Sequence, residues 1–423
     1  MRLSKDQTLA NVADLWTRTV KNKQGRYEKV KTDRYGKGKR WQARWIDDTG
    51  KPRSKVFERK VDAEAHAKAM ETDVHRGDYF DPNRGKIIFN EVAGRWLSSR
   101  IVDPASQIRY EGVYHLHVAP EFARRQIRTI TPSAIQAWIG KLSRTHGPST
   151  IITAFQILQG VLDLAVADEA LKKNPAKASI VQVPKWIGQK IVPWTDASLA
   201  AVIDAHSDLV RAVPVIGAGC GLRQGEIFGL ALEDFDFEAN VVRVRRQIKK
   251  LGSEYVYALP KNDRERAVPM SAWVAQTIQA HQAKFKPEPY SLPWEKPSGK
   301  LATHNLLFRW TDSRALRARL YNESVWRPAL VTAGLAPAPV RDARGRKRFI
   351  NSRHDGMHAL RHYYASVLLA DGVSVKELAE YLGHADPGFT LRTYIHMLPD
   401  SHERAIRAID GRLFRPRAVS HAT

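Results

Sequence analysis

Four short stretches in the second half of the chain carry side chains suited to chemistry on an anion. In Gly221-Leu222-Arg223-Gln224-Gly225-Glu226 the glycines permit a tight turn into a short helix. Arg223 then falls near the helix N-terminus, where a guanidinium and free backbone N–H groups together favour an anion. His358-Ala359-Leu360-Arg361-His362 reads as helix. Met357, Leu360, Tyr364 and Val367 keep the spacing of a buried stripe, and His358 and Arg361, three apart, share another face. An imidazole beside a guanidinium suits an anion with a transferable proton. Leu382-Gly383-His384 ends a helix that Ser374-Val375-Lys376-Glu377 opens as a capping box. Tyr394 follows ten residues after His384, beyond the turn Ala385-Asp386-Pro387-Gly388. Singly, each has a plain structural reading: a surface arginine, a solvated helix face, a helix C-cap and a core tyrosine.

The elements that must position these residues are mixed. From residue 195 the pattern predicts a helix near 197–205, an apolar stretch over 208–219, and strands at 241–248, 255–259 and 266–270. Helices dominate after Trp273, and residues 287–300 and 336–350 read as Pro-, Gly- or Arg-rich loops. Upstream, residues 88–173 keep helical spacing, with Phe89, Val92, Trp96 and Leu97 on one face and Ile151, Phe155, Leu158, Leu162 and Ala165 on another. Pro132 and Pro148 fall near helix starts. Residues 81–85 and 174–194 read as linkers. Residues 40–46 and 53–57 read as a hairpin about Asp47-Asp48-Thr49-Gly50-Lys51-Pro52, followed by a helix over 61–76. Trp41 and Trp45 would pack on that helix, which leaves Arg40, Gln42 and Arg44 facing outward.

Charge points to the partner. The 423 residues hold 68 Lys and Arg against 44 Asp and Glu, a net +24. Such an excess favours a polyanion, because each phosphate neutralised releases condensed counterions. Residues 1–60 alone hold 18 Lys and Arg against 7 Asp and Glu. The single cysteine, Cys220, excludes an internal disulfide framework and a Cys-based zinc site. No apolar run of about 18 residues announces a membrane span, and the first ten residues lack a signal core, so a cytoplasmic, nucleoid-associated protein is expected.

The succession GLRQGE, HALRH and LGHADPGFTLRTYIH resembles the tyrosine recombinase and phage-type integrase family. The resemblance is strong over about 193–410 and looser upstream. It implies Arg223, His358, Arg361, His384 and Tyr394 as catalytic residues. A lysine on a β-hairpin completes the family's set. The stretch 259–269 looks like that hairpin, which carries the role to Lys261; Asn262 stands where the family usually has Thr, and Lys249 and Lys250 lie nearby as alternatives. The resemblance further implies a multidomain protein: an arm-type DNA-binding domain over 1–80, with a three-stranded sheet plus helix; an all-α core-binding domain over 86–175; a mainly-α, mixed α+β catalytic domain over 193–412; and a basic tail over 413–423. Arm contacts are expected from Lys37, Lys39, Arg40 and Arg44. The partners implied are double-stranded DNA at core and arm attachment sites, a homotetramer on DNA, a host DNA-bending protein and a directionality factor.

The chemistry is coherent by itself. Two arginines neutralise the non-bridging oxygens and the charge that develops on the phosphorane. A tyrosine oxygen attacks and keeps the bond energy in a phosphotyrosyl link. Lys261 protonates the leaving 5′ oxygen; His358 takes the tyrosine proton or holds the phosphate, and His384 donates to an oxygen. Glu226 and Asp234 read as orienting or packing residues. No carboxylate cluster suggests a metal pair, so neither metal nor cofactor is expected. Two rivals remain: a type IB topoisomerase-like relaxing enzyme, and a non-enzymatic helix-turn-helix regulator built on residues 374–394.

Overall fold

The computed structural model describes residues 10–395 apart from 24, 78, 80–83, 187–190 and 351–354, together with 406, 409 and 410. The tail expected at 413–423 and most of the linker at 81–85 lie outside the described residues. The chain divides into two compact units, Met1–Trp186 and Ile187–Thr423.

The first unit holds two separate hydrophobic clusters. The smaller belongs to a sheet of β1 (Ala10–Asp14), β4 (Trp41–Ile46) and β5 (Pro52–Phe57), all antiparallel, with α1 (Lys60–Arg76) against one face. Alternation along β4 turns Trp41, Ala43 and Trp45 to the helix, where Ala63 and Ala67 leave room for close approach. Trp45 and Phe57 each lie 5.2 Å, centroid to centroid, from the His66 ring. The turn between β4 and β5 is organised by the buried Asp47 carboxylate, which accepts from Thr49, Lys51 and Arg53. A second hairpin, β2 (Thr17–Lys21) with β3 (Tyr27–Lys31), escapes the sequence reading. Every residue of β3 is exposed, so no apolar alternation marks it.

The larger cluster belongs to α2 (Phe89–Ser98), α3 (Pro104–Val113), α4 (Ala119–Phe122), α5 (Pro132–Ser143) and α6 (Pro148–Ala167). Pro104, Pro132 and Pro148 each occupy a first helical position, and Asp103 and Thr131 cap their helices. By length and composition α6 is apolar enough to cross a membrane, contrary to the expectation of no such run. Its Ile151, Ile157, Leu158, Val161 and Leu162 are buried in this cluster, as befits the central helix of a bundle.

The second unit is built around α8 (Ala212–Cys220), apolar throughout, which packs against α7 (Asp196–Asp204), α9 (Gln224–Phe228), α10 (Ala272–Lys284) and α13 (His358–Ala370). The strand expected at 241–248 is two strands. β7 (Val241–Val244) pairs with β6 (Phe235–Asp236) and β10 (Arg266–Pro269), whereas β8 (Gln247–Leu251) pairs with β9 (Glu254–Ala258). The break falls at Arg246, whose buried guanidinium turns inward onto both Asp234 oxygens, at 2.5 and 3.1 Å. Asp234 is therefore a packing residue, its acid pushed up by burial against the pull of Arg246.

Residues 287–300 are not all loop: β11 (Glu288–Pro293) pairs with β12 (Leu301–Leu306). Prolines 289 and 293 suggested a loop, but β11 pairs with β12 in a two-stranded sheet, and an edge strand tolerates proline. After α11 (Ala318–Tyr321) and α12 (Arg327–Thr332), the basic stretch 336–350 also contains a short hairpin, β13 (Val340–Arg341) with β14 (Lys347–Arg348). Asp342 closes its turn by accepting from Arg344, Arg346 and Arg348. On α13 the buried stripe is Leu360, Tyr364, Ala365 and Leu369; Val367, expected inside, is 37% exposed. The chain then forms α14 (Val375–Leu382), opened by the expected Ser374–Glu377 capping box, and α15 (Pro387–Tyr394).

Candidate active site

Gly221 ends α8 at φ +63°, a left-handed backbone where an added Cβ would also meet the Tyr364 ring at 2.4 Å. The turn it makes delivers Arg223, in extended conformation, to the N-cap of α9. The Glu226 carboxylate is fully buried and accepts from the Arg223 backbone N–H and guanidinium, both at 2.9 Å. It also receives Arg266, whose Nη atoms lie 3.1 and 2.6 Å from its oxygens. Burial would raise the Glu226 acid, but the hydrogen bonds and charge of Arg266, then the charge of Arg223, prevail and hold it at about 2.

Arg361 is 1% exposed. It donates to the Gly221 carbonyl at 2.9 Å, the Leu382 carbonyl at 2.5 Å and the His384 Nε2 at 2.9 Å. Its Nε has no partner among the described residues. Burial, then the Arg223 charge, push its guanidinium down to about 9. Two guanidiniums therefore bind one carboxylate while a third, Arg361, feels its charge, an arrangement short of negative charge that a phosphodiester would complete.

His384 follows Gly383, the left-handed cap of α14. A guanidinium can only donate, so His384 Nε2 is bare toward Arg361, and its Nδ1–H donates to Thr390 Oγ1 at 2.7 Å. Burial, then Arg361, Arg223, Arg266 and Lys261, push the imidazole down to about 4. In this state His384 holds Arg361 and tethers α15 through the buried Thr390; it is not poised to donate to phosphate.

Tyr394 closes α15 and is 2% exposed. Burial pushes its phenol up to about 12 against the opposing pull of Arg361 and Arg223. Its hydroxyl lies 2.9 Å from Nδ1 of His362. His358, one turn earlier on α13, stands edge-on to the His362 ring at 4.7 Å. It keeps an exposed edge, yet the protein packed around it, then Arg361 and Arg223, push it down to about 4. Lys261 is exposed on the connection from β9 to β10. Those strands pair with β8 and β7 rather than with each other, so the connection links two sheets instead of closing a hairpin. Its charge still reaches His384. Lys249 and Lys250 lie on β8.

Five of the six residues singled out from sequence thus converge from four separated segments, and Lys261 stands at electrostatic range. Arg266, His362 and Thr390 were missed. Thr390 had a local signal, four residues before Tyr394 on the same helix face. No group of His, Cys, Asp or Glu that could hold a metal occurs among the described residues. In the first unit, Lys37 and Lys39 are exposed. Arg40, expected to face outward, keeps 39% of its side chain exposed, is ion-paired with Asp14 at 2.8 Å and lies over the Trp41 ring at 4.8 Å. The outward face carries Arg44 and Gln42, with Gln42 bonded to Ser54 and Arg44 to Gln42.

The phage integrase family model matches residues 204–400, and the N-terminal SAM-like domain of phage integrases matches 88–143. The prophage phiRv2 integrase of Mycobacterium tuberculosis is 26% identical over 409 residues, covering 94% of this chain and 98% of that one. The chain belongs to the tyrosine recombinase family. It is a site-specific DNA recombinase of the integrase kind, which sets aside the reading of residues 374–394 as part of a non-enzymatic regulator. Among solved structures, the Tn1549 transposon integrase in complex with transposon right end DNA shares the fold of this recombinase. Its TM-score is 0.61 at 21% identity, over 77% of this chain and 99% of that one. A lambda integrase tetramer bound to a Holliday junction superposes with a TM-score of 0.53 at 13% identity, over 82% and 93%.

Proposed function

We propose that this recombinase cleaves and reseals DNA through a 3′-phosphotyrosyl link to Tyr394, and so integrates or excises a mobile element. The observation that carries the reading is the buried phenol set within electrostatic reach of Arg361 and Arg223 in a pocket short of negative charge. Arg223 and Arg361 clasp the non-bridging oxygens of the scissile phosphate, and the Nε of Arg361, which has no partner among the described residues, is one donor that can do so. Lys261 reaches the leaving 5′ oxygen from its exposed loop and protonates it. His358 holds the phosphate from the pocket rim, and His384 orients Arg361.

Around this centre, residues 1–80 read arm sites through Lys37, Lys39 and Arg44, residues 86–175 grip the core site, and residues 193–412 carry the chemistry, followed by the basic tail. Four copies assemble on DNA, as the lambda integrase does on a Holliday junction. A host DNA-bending protein and a directionality factor assist, and the enzyme resides on the nucleoid. The test is a suicide substrate, a core-site duplex nicked so that the cleaved end diffuses away. The wild-type chain should accumulate a covalent adduct that peptide mapping places on Tyr394. Tyr394→Phe should bind the same DNA and form none; an adduct on another residue sinks the assignment.

A further inference from the structure

We infer that His362 takes the proton from Tyr394 during cleavage and returns it during rejoining, a role that rests on Tyr394 being the nucleophile. The phenol is 2% exposed, so its hydroxyl needs a partner inside the protein, and Nδ1 of His362 provides one at 2.9 Å. The direction of that bond follows from the phenol. With its acid pushed up to about 12, Tyr394 keeps its hydrogen at neutral pH. Were Nδ1–H the donor, the buried phenolic hydrogen would have no acceptor among the described residues. The phenol therefore donates, Nδ1 is bare, and the imidazole hydrogen sits on Nε2.

The other two histidines are placed for different work. His384 has both ring nitrogens committed, to Arg361 and to Thr390. His358 meets the edge of the His362 ring at 4.7 Å. His362 alone among them touches the attacking oxygen, and an imidazole is the side chain whose ordinary titration lies nearest neutrality. The step balances. The Tyr394 O–H bond breaks and its proton passes to Nδ1 as the phenolic oxygen forms its bond to phosphorus. The P–O5′ bond breaks, and the 5′ oxygen takes a proton from the acid at Lys261. Rejoining runs the same transfers backwards, with the imidazolium protonating the departing tyrosine oxygen.

The test is His362→Asn, whose amide oxygen can stand near the place of Nδ1 and accept the phenol's hydrogen bond but cannot carry its proton. Single-turnover cleavage of the suicide substrate should slow by about 10²-fold or more, within the range for losing a general base. Cleavage within a few-fold of wild type would overturn the inference and leave His362 as a tether for the phenol. The second arm places a ring-fluorinated tyrosine, with a lower phenol pKa, at position 394. Such a phenol needs less help to ionise, so the loss caused by His362→Asn should shrink to a few-fold. An equal loss with natural and fluorinated tyrosine would also overturn the proton-transfer role, because damage to the pocket does not depend on the phenol's acidity. Adduct formation by Tyr394→Phe would instead count against the nucleophile itself, whatever the His362 variants do.

Discussion

Glu226→Gln should destabilise the catalytic unit by about 3–5 kcal/mol, the scale for removing one partner of a buried ion pair. The carboxylate has no solvent access and binds Arg266, itself 7% exposed, through two bonds, while Arg223 keeps 20% of its side chain in solvent. Glutamine preserves the shape but cancels the charge, and its amide nitrogen must point at one of two donors. The acid shift gives a similar size. Held at about 2 rather than 4.5, the carboxyl contributes about 3 kcal/mol at roughly 1.4 kcal/mol per unit. The lower end is favoured, because solvent can partly compensate Arg223. Since the folded-state value is depressed, this stability is fully present above about pH 4.5 and is lost as the pH falls toward 2. Scanning calorimetry on the whole chain at pH 7 should show the catalytic unit's transition about 6–12 °C lower in the variant, taking 2–4 °C per kcal/mol for a unit of this size. Between pH 5 and 3 the gap should narrow, because the wild type loses the contribution that the variant never had. A variant melting with the wild type at pH 7, or a gap constant down to pH 3, would refute the claim that this carboxylate is ionised and holds two guanidiniums.

The remaining predictions concern catalysis and recognition. Arg223→Ala and Arg361→Ala should each slow adduct formation by about 10²–10³-fold, the cost of one preorganised donor to the developing charge; near-normal cleavage would remove that arginine from the site. Arg361→Ala should also lower the melting temperature, since Arg361 ties the Gly221 and Leu382 carbonyls together. Lys261→Ala should be slow on normal DNA and largely recover when the scissile 5′ oxygen is replaced by sulfur, which leaves without a proton; recovery by a Lys249 or Lys250 variant instead would move the acid to β8. Deleting residues 1–80 should spare cleavage of a core-site duplex but weaken integration, because a bivalent protein loses effective concentration with its second contact; identical footprints with and without the segment would sink the arm-site reading. Within that segment Arg44→Ala should alter recognition with little change in melting, whereas Arg40→Ala should loosen the domain by freeing Asp14.

Much of the site was readable as sequence because its parts are local. The Ser374–Glu377 capping box, the left-handed Gly383 before His384, Arg223 at the head of a short helix, and His358 one turn from Arg361 each follow from spacings of a few residues, over which helix geometry is fixed. The helical run from α2 to α6 and the β4–β5 hairpin were likewise visible as periodicity and turn chemistry. What stayed hidden depends on partners far along the chain. Arg246 breaks a strand because Asp234 waits inside for its charge, and β11 tolerates its prolines because it lies at a sheet edge. Arg40 is tied down by an ion pair because Asp14, 26 residues upstream, comes within reach of its guanidinium. Arg266 reaches Glu226 across 40 residues, and His362 reaches the Tyr394 hydroxyl across 32. Local spacing sets which side of its own element a residue occupies, and so the types and order of the candidate catalytic groups were decided by sequence alone. Which group meets which, and therefore where a proton or a charge can go, was decided only when packing brought separate helices together, because a hydrogen bond near 3 Å depends on every contact that positions both of its ends.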